Sequence, residues 1–355
     1  MYVTSKREGV GKDGMGASMA SDVLPFLIEQ LDLLPPSTTK LDFLIVSFGG
    51  DPMVAWRIVS LIRERVDEFA VLLPQSAYSA ATLVALGANE IVMHPNSHLG
   101  PVDMQITTFT EGRRRQFSTE DIGAFLKFVK DSLGITDQKH LRRLFEITCR
   151  EVGSLGVGFT ARSSQLAIAL GERLLSLHMT DDKAGDAKTT RTSLIENLSR
   201  QFHSHDYPVS RSEALRIEGL PVTKERDHTL ESLMWTLWLD LEEELQERKP
   251  FSPIIELLSG TQATKLLSPI PQLNLPLNAA GPTNLSASIP DVVGTSASAT
   301  VEIAPIDFEH VDAVMESARL AHRGVTRGKI IASRMPDLDI KFNPVHNFRG
   351  WEKQT

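Results

Sequence analysis

Apolar residues recur along this chain with two spacings, one helical and one extended, and the alternation between them is regular in its first hundred residues. Residues 22–34 (DVLPFLIEQLDLL) place Val23, Leu24, Leu27, Ile28, Leu31 and Leu34 on one helical face. Residues 40–47 (KLDFLIVS) form a short apolar run that ends at the pair Gly49-Gly50, the signature of a buried strand followed by a tight turn. Asp51-Pro52 then opens a helix whose apolar positions are Val54, Ile58, Leu61 and Ile62. The pattern repeats with a strand at 69–73, a small-residue turn at 75–79, a helix at 80–86 and a strand at 90–93. Strand, turn, helix and strand in units of this length predict an α/β fold with a mostly parallel sheet and right-handed crossovers.

The second half reads differently. Helices are expected over about 118–133, started by Ser118 and Asp121, and over 137–149, 163–178 and 230–248, with a charged loop at 181–188. Ser210 and Glu213 form a capping box, and Gly219 stops the helix that follows. Residues 259–300 are Ser, Thr, Pro, Asn, Ala and Gly with scattered Leu and no period, and a helical period returns at 307–334. The expected organisation is a mobile arm over 1–21, a main domain over 22–250, an extended linker or wrapping segment over 251–306, and a helical segment over 307–355.

Composition narrows the function. Among 355 residues, 37 Lys+Arg face 45 Asp+Glu, a formal net charge of −8, which lacks the clustered cations of a phosphate-binding face and argues against nucleic acid as a partner. A single cysteine, Cys149, excludes an intrachain disulfide and a cysteine-rich zinc site and fits a reducing compartment. No apolar run reaches the ~18 residues of a bilayer span, and the expected location is the cytoplasm.

Three places could carry chemistry. At Ser47-Phe48-Gly49-Gly50-Asp51-Pro52, two glycines between a strand and a helix leave backbone N–H groups open, as an oxyanion hole requires; a plain tight turn needs the same glycines. At Tyr78-Ser79-Ala80-Ala81-Thr82, a serine at a helix start is either a nucleophile favoured by the helix dipole or an N-cap, a role open also to Ser76. A general base for that serine could be Lys127 or Lys130 on the helix after the sheet, His94 or His98, or His203 or His205. Lys130, among Phe125, Phe128, Val129 and Leu133, has the apolar neighbours that would favour a neutral amine. Weaker signals are Gly9-x-Gly11-x-x-Gly14, which follows no strand, the HSHD stretch at 203–206, which lacks a distant third ligand, and the basic triplet Arg113 to Arg115, which reads as a solvated loop. No metal and no cofactor is expected.

Taken together, S-x-G-G-D, the helix with VAWRIV, SAYSAATLVALGANEIVMHPNSHLGPVD and PVSRSEALRIEGLPV, in this order, resemble the ClpP-class serine peptidases of the ClpP/crotonase fold. The resemblance is nearest to the serine dehydrogenase proteinases, relatives of signal peptide peptidase A, and spans about residues 22 to 240. It implies repeated ββα units, Ser79 as nucleophile, and an oxyanion hole at Gly49, Gly50 and Ala80. The histidine that serves Clp-type members is replaced by Gly100-Pro101-Val102-Asp103, and the acid after the late G-L-x-D turn is absent from Gly219-Leu220-Pro221-Val222. Signal peptide peptidase relatives keep a lysine on a helix beyond the serine, where Lys130 falls. A Ser79–Lys130 dyad is therefore the expectation, with Lys127, His98 and His205 as alternative bases.

The function so implied is hydrolysis of peptides or unfolded protein segments by a homo-oligomer, with a regulatory or unfoldase partner as the source of any ATP use, since no Walker motif is present. The alternatives are a catalytically weak scaffold that binds a peptide or a partner, and an acyl-CoA enzyme of the crotonase branch, which the serine at the helix start disfavours.

Overall fold

The computed structural model describes residues 1–7, 15–103, 105–110, 113–179, 186–200, 202, 204–268, 301–335 and 339–354. The chain begins with β1 (Tyr2–Thr4) and the short pair β2 (Lys6–Arg7) and β3 (Met15–Gly16), then enters α1 (Leu24–Asp32). β4 (Lys40–Val46), α2 (Pro52–Arg63), β5 (Glu68–Leu73), β6 (Ser76–Ala77), α3 (Ala80–Leu86), β7 (Glu90–Met93) and β8 (His98–Leu99) follow in the order that the apolar pattern predicts. Beyond them lie a hairpin of β9 (Gln105–Thr110) and β10 (Arg113–Ser118), the helices α4 (Thr119–Asp131), α5 (Gln138–Val152), α6 (Ser154–Ser176) and α7 (Asp186–Arg200), and then β11 (Val209–Ser210), α8 (Arg211–Ala214) and α9 (His228–Leu245). The chain closes with α10 (Pro253–Ser259), α11 (Ala263–Leu266), β12 (Val301–Glu302) and three long strands, β13 (Ile306–Ser317), β14 (Leu320–Arg334) and β15 (Ile340–Gln354).

The main sheet runs β12-β14-β13-β1-β4-β5-β7, with β15 on the other edge of β14. β1, β4, β5 and β7 are parallel, and antiparallel β13 joins the sheet through β1. The mixed α/β architecture with a parallel centre is thus the one expected. Its core is built by Phe43 and Ile45 of β4, Ile58, Val59 and Ile62 of α2, Val71 and Leu73 of β5, and the whole of α3, in which every residue is buried. α2 starts where Asp51 caps it, the carboxylate accepting from Met53 N at 2.8 Å ahead of Pro52, which needs no amide partner.

Four segment readings are corrected. The arm is not free over its whole length: Tyr2 and Val3 are buried in the centre of the sheet, where each residue satisfies the edges of two neighbouring strands. The helical period over 307–334 is carried by strands, because a bulge between Val311 and Ala313 shifts the two-residue alternation and makes it imitate a three-to-four spacing. Part of the expected linker is helical, at 253–259 and 263–266, and 269–300 lies outside the described residues. Arg113 to Arg115 belong to a strand paired with β9 rather than to a loop. The Gly9, Gly11 and Gly14 motif, the loop residues 181–185 and His203 lie outside the described residues.

Candidate active site

Two turns meet at the C-terminal ends of the parallel strands. The first leaves β4 at Ser47, whose N–H and C=O bond Ser76 O and Tyr78 N, both at 3.0 Å, so the 47–50 segment runs beside the start of the second turn. Buried Ser47 Oγ accepts from Thr4 Oγ1 at 2.8 Å and from Gly49 N at 3.2 Å, and this relay from β1 fixes the glycine turn. Gly49 (φ 95°) and Gly50 (φ 153°) then adopt conformations that side chains resist. A Cβ on Gly49 would lie 2.9 Å from Ser79 Cβ and 3.1 Å from Ala80 N, which measures how closely the turn approaches the serine.

Met19 grips the other side of this turn. Its N–H donates to Gly49 O at 2.8 Å and its C=O accepts from Asp51 N at 2.9 Å, so it bonds the residues flanking Gly50 and not Gly50 itself. The trans Gly49–Gly50 peptide turns its carbonyl toward Met19, which leaves the Gly50 N–H on the opposite side of the segment. Among the described residues, neither Gly50 N–H nor Ala80 N–H donates to another protein group. Gly49 N–H, by contrast, is taken by Ser47.

Ser79 stands between β6 and α3 at φ 53° and ψ −114°, a conformation costly for any residue with a Cβ. Its surroundings hold it there: α3 is wholly buried, Leu83 N donates to Ser79 O at 3.1 Å, and Thr82 Oγ1 lies 2.8 Å from both Ala77 O and Gly100 O. The Ser79 side chain makes no capping bond, so the N-cap reading has no support in the geometry. A serine on a sharp strand-to-helix turn, half-buried and with its hydroxyl uncommitted, has the arrangement of an exposed nucleophile.

The candidate bases divide. Lys127 and Lys130 are exposed on α4, where Phe125, Phe128 and Leu133 are exposed as well, so the apolar neighbours of Lys130 do not bury it in the single chain. His98 is on the site side. Its strand pairs in parallel with β6, Ser76 opposite His98, and its ring meets the Tyr78 ring edge-on with centroids 5.3 Å apart. Burial holds the His98 imidazole below its usual range, hence neutral and able to accept a proton at neutral pH. His205 is half-buried with Nδ1 unpartnered among the described residues, and its neighbour Asp206 acts on Tyr78, whose phenol is pushed up by burial and by that carboxylate. His94 stacks on Trp235 and accepts from Asn96 N through Nδ1, a structural role.

Sequence reasoning missed Thr4, Met19 and Tyr78. Tyr78 lies over Gly100, where a Cβ would fall 1.8 Å from its ring, and stacks on Phe48 with centroids 5.7 Å apart. Gly100 was the available signal, since a ring packed on backbone requires glycine; Thr4 and Met19 carried none.

Residues 31–113, the segment that contributes both turns, match the family of ClpP-like SDH-type serine proteinases. Over this segment the chain is similar to ClpP-like serine proteinases. Two uncharacterized proteins of Methanocaldococcus jannaschii are similar as well, one 36% identical over 73 residues and the other 37% identical over 71. The matches span 21% and 20% of this chain, and in each case they cover only 25% of the relative. Among solved structures, the 1510-N membrane-bound stomatin-specific protease, in a mutant form, is similar over 59% of this chain and 76% of its own, at 13% identity and a TM-score of 0.35. Among the described residues, no helix is long and apolar enough to cross a membrane, and no cluster of His, Cys, Asp and Glu has the geometry to hold a metal.

Proposed function

We propose that this chain is a serine peptidase in which Ser79 attacks the scissile carbonyl and the N–H groups of Gly50 and Ala80 hold the oxyanion. The observation that carries this reading is Ser79 itself, kept at φ 53° beside a glycine turn whose Gly50 amide has no acceptor among the described residues. Two amides fixed before the substrate arrives need no rearrangement as charge develops, and removing one such donor from an enzyme typically costs 10²- to 10³-fold, about 3 to 4 kcal/mol.

His98 is the base this reading prefers in the single chain. It would take the Ser79 hydroxyl proton, return it to the leaving amine, and then activate the water that cleaves the acyl-enzyme. Lys130 is the base of a second reading. Phe125 (40% exposed), Phe128 (53%) and Leu133 (56%) surround it with apolar surface, and a second subunit laid on α4 would remove water from its amine. The same reasoning supports a homo-oligomer. α5 buries none of its residues in the single chain, and Phe145, Leu155 and Phe159 are exposed on α5 and α6. The substrate would be a peptide or an unfolded protein segment and the location cytoplasmic.

A fluorophosphonate probe tests the nucleophile. Labelling and peptide hydrolysis are expected in the unaltered protein, and both are expected to vanish in Ser79→Ala. Hydrolysis that survives in Ser79→Ala removes the serine assignment, and a chain that neither labels nor cleaves is the peptide-binding scaffold instead.

A further inference from the structure

A second concave site lies on the sheet itself, away from Ser79. It is an open cleft of about 470 Å³ lined by β1, the 16–22 segment and the face of β13, β14 and β15, within the range of small-molecule sites, ~300–1,000 Å³. Nothing in the proposed peptidase chemistry uses it.

Its polar groups are arranged in two opposed sets. Asp312 is the extra residue of the bulge between Val311 and Ala313, and a bulge re-aims the side chain it carries. Asp312 is buried, its side chain 6% exposed; Oδ2 accepts from Thr326 Oγ1, while Oδ1 has no hydrogen-bond partner among the described residues and lies 3.7 Å from His310 Nε2. Asp22 adds a second carboxylate, which accepts from Trp351 Nε1 at 2.9 Å. Facing them is the exposed guanidinium of Arg349, which gives one N–H to Gly16 O at 3.0 Å. The register places Thr326 opposite Arg349, so the two charges share one face of the sheet two strands apart, about 9.5 Å between backbones. A tripeptide extends to about 10 Å.

We propose that this cavity binds a short peptide with both ends free, its ammonium at the Asp312 and Asp22 carboxylates and its carboxylate on Arg349. The wall supplies the rest of the fit. Trp351 offers ring surface to a small side chain, and Gly324, directly opposite it in the register, lets that ring lie close on the sheet, since a Cβ there would stand 3.3 Å from Ala313 Cβ and 3.5 Å from the Trp351 ring. The site also reaches the catalytic turn. Its rim is the 16–22 segment, and Met19 within that segment holds both flanks of Gly50. A ligand that orders the rim therefore orders the oxyanion turn. This second step rests on the peptidase reading and makes the site a sensor of the kind of product that such an enzyme releases.

Binding is measured first, by calorimetry with triglycine on the full chain carrying Ser79→Ala, so that no probe is consumed. Saturable binding is expected, weakened about ten- to a hundredfold by acetylating the amino end, by amidating the carboxyl end, or by Arg349→Met, since each removes one charge-assisted contact. Asp312→Asn should weaken it likewise; because Asp312 is buried, the two capped peptides on the unaltered site keep the test independent of that variant's folding. Absence of binding, or equal binding of capped and free triglycine, overturns the proposal. Turnover of the protein with Ser79 intact is then followed as triglycine is added. A change that disappears in Arg349→Met supports the coupling, and unchanged turnover at saturating triglycine refutes it. Triglycine binding in a chain that fails the fluorophosphonate test would leave the cavity assigned and the peptidase reading refuted.

Discussion

Substituting Gly50 by Ala puts the glycine turn under a load that can be worked out from its contacts. The added Cβ would fall 2.2 Å from Met19 O and 2.6 Å from Met19 N, both backbone atoms that cannot rotate away, and Gly50 sits at φ 153°. Relief requires the Met19 strand to retreat by about an ångström or more, which breaks the 2.8 Å and 2.9 Å bonds on either side of Gly50. Two backbone hydrogen bonds at ~0.5–1.5 kcal/mol each give about 1–3 kcal/mol. Residual strain at a disfavoured dihedral adds about 1–3 kcal/mol. The sum, about 2–6 kcal/mol, is a large share of the ~5–15 kcal/mol that holds a typical domain folded, so the variant should unfold at a clearly lower urea concentration. Below that concentration it should still be folded by circular dichroism, and its turnover there should be down by ~10² or more, because the Gly50 N–H has moved. Near-normal turnover in a folded Gly50→Ala protein would refute the claim that this amide holds the oxyanion, and an unchanged urea midpoint would refute the packing around Met19.

Other outcomes follow from the same geometry. With His98 as base, kcat/KM should hold down to pH values below the ordinary histidine pKa, ~6.5, and fall as the lowered folded-state value is crossed; His98→Gln should abolish that limb, whereas a lysine base would move it to the alkaline side and make Lys130→Met the damaging change. Burial and the Arg7 guanidinium lower the pKa of His310 to about 4. The unfolded chain protonates it near ~6.5, so stability present above that pH should be lost progressively as pH falls toward 4, by up to about 3 kcal/mol, and denaturant midpoints of His310→Gln should lack this loss. Light scattering should give a multiple of the 39.2 kDa chain mass, reduced by Phe145→Asp with Leu155→Asp; a protein already at 39.2 kDa before substitution contradicts the oligomer.

The sequence disclosed the parallel half of the fold because each element there is anchored by local chemistry. Phe43 to Val46 is apolar without a break, Gly49 and Gly50 mark the turn, and Asp51-Pro52 starts the next helix. Ser79 and the glycine turn were legible for the same reason. The base was not, since it depends on which side of the fold a helix faces, and the apolar residues beside Lys130 are equally those of a face awaiting a neighbour. The C-terminal strands were hidden by the bulge at Asp312, although Gly324 and Gly328 beside Val325, Thr326, Ile330 and Ile331 argue against a helix. β1 was hidden by its shortness: three residues carry no period.

The position of β1 sets the order in which this molecule can be completed. Tyr2 and Val3 pair on one side with Ile45 and Val46, which leave the ribosome soon after them, and on the other with Met315 and Val314. Met1 and Glu316, bonded at the end of that ladder, are 315 positions apart. At ~5–20 residues per second, roughly 15 to 60 s of synthesis separate the two halves. For that interval the growing chain carries the parallel half with one β1 edge unpaired, the kind of edge that recruits other strands. The Thr4–Ser47 relay runs from the β4 side of this strand into the glycine turn, so β1 is anchored on that side while its other edge waits for β13.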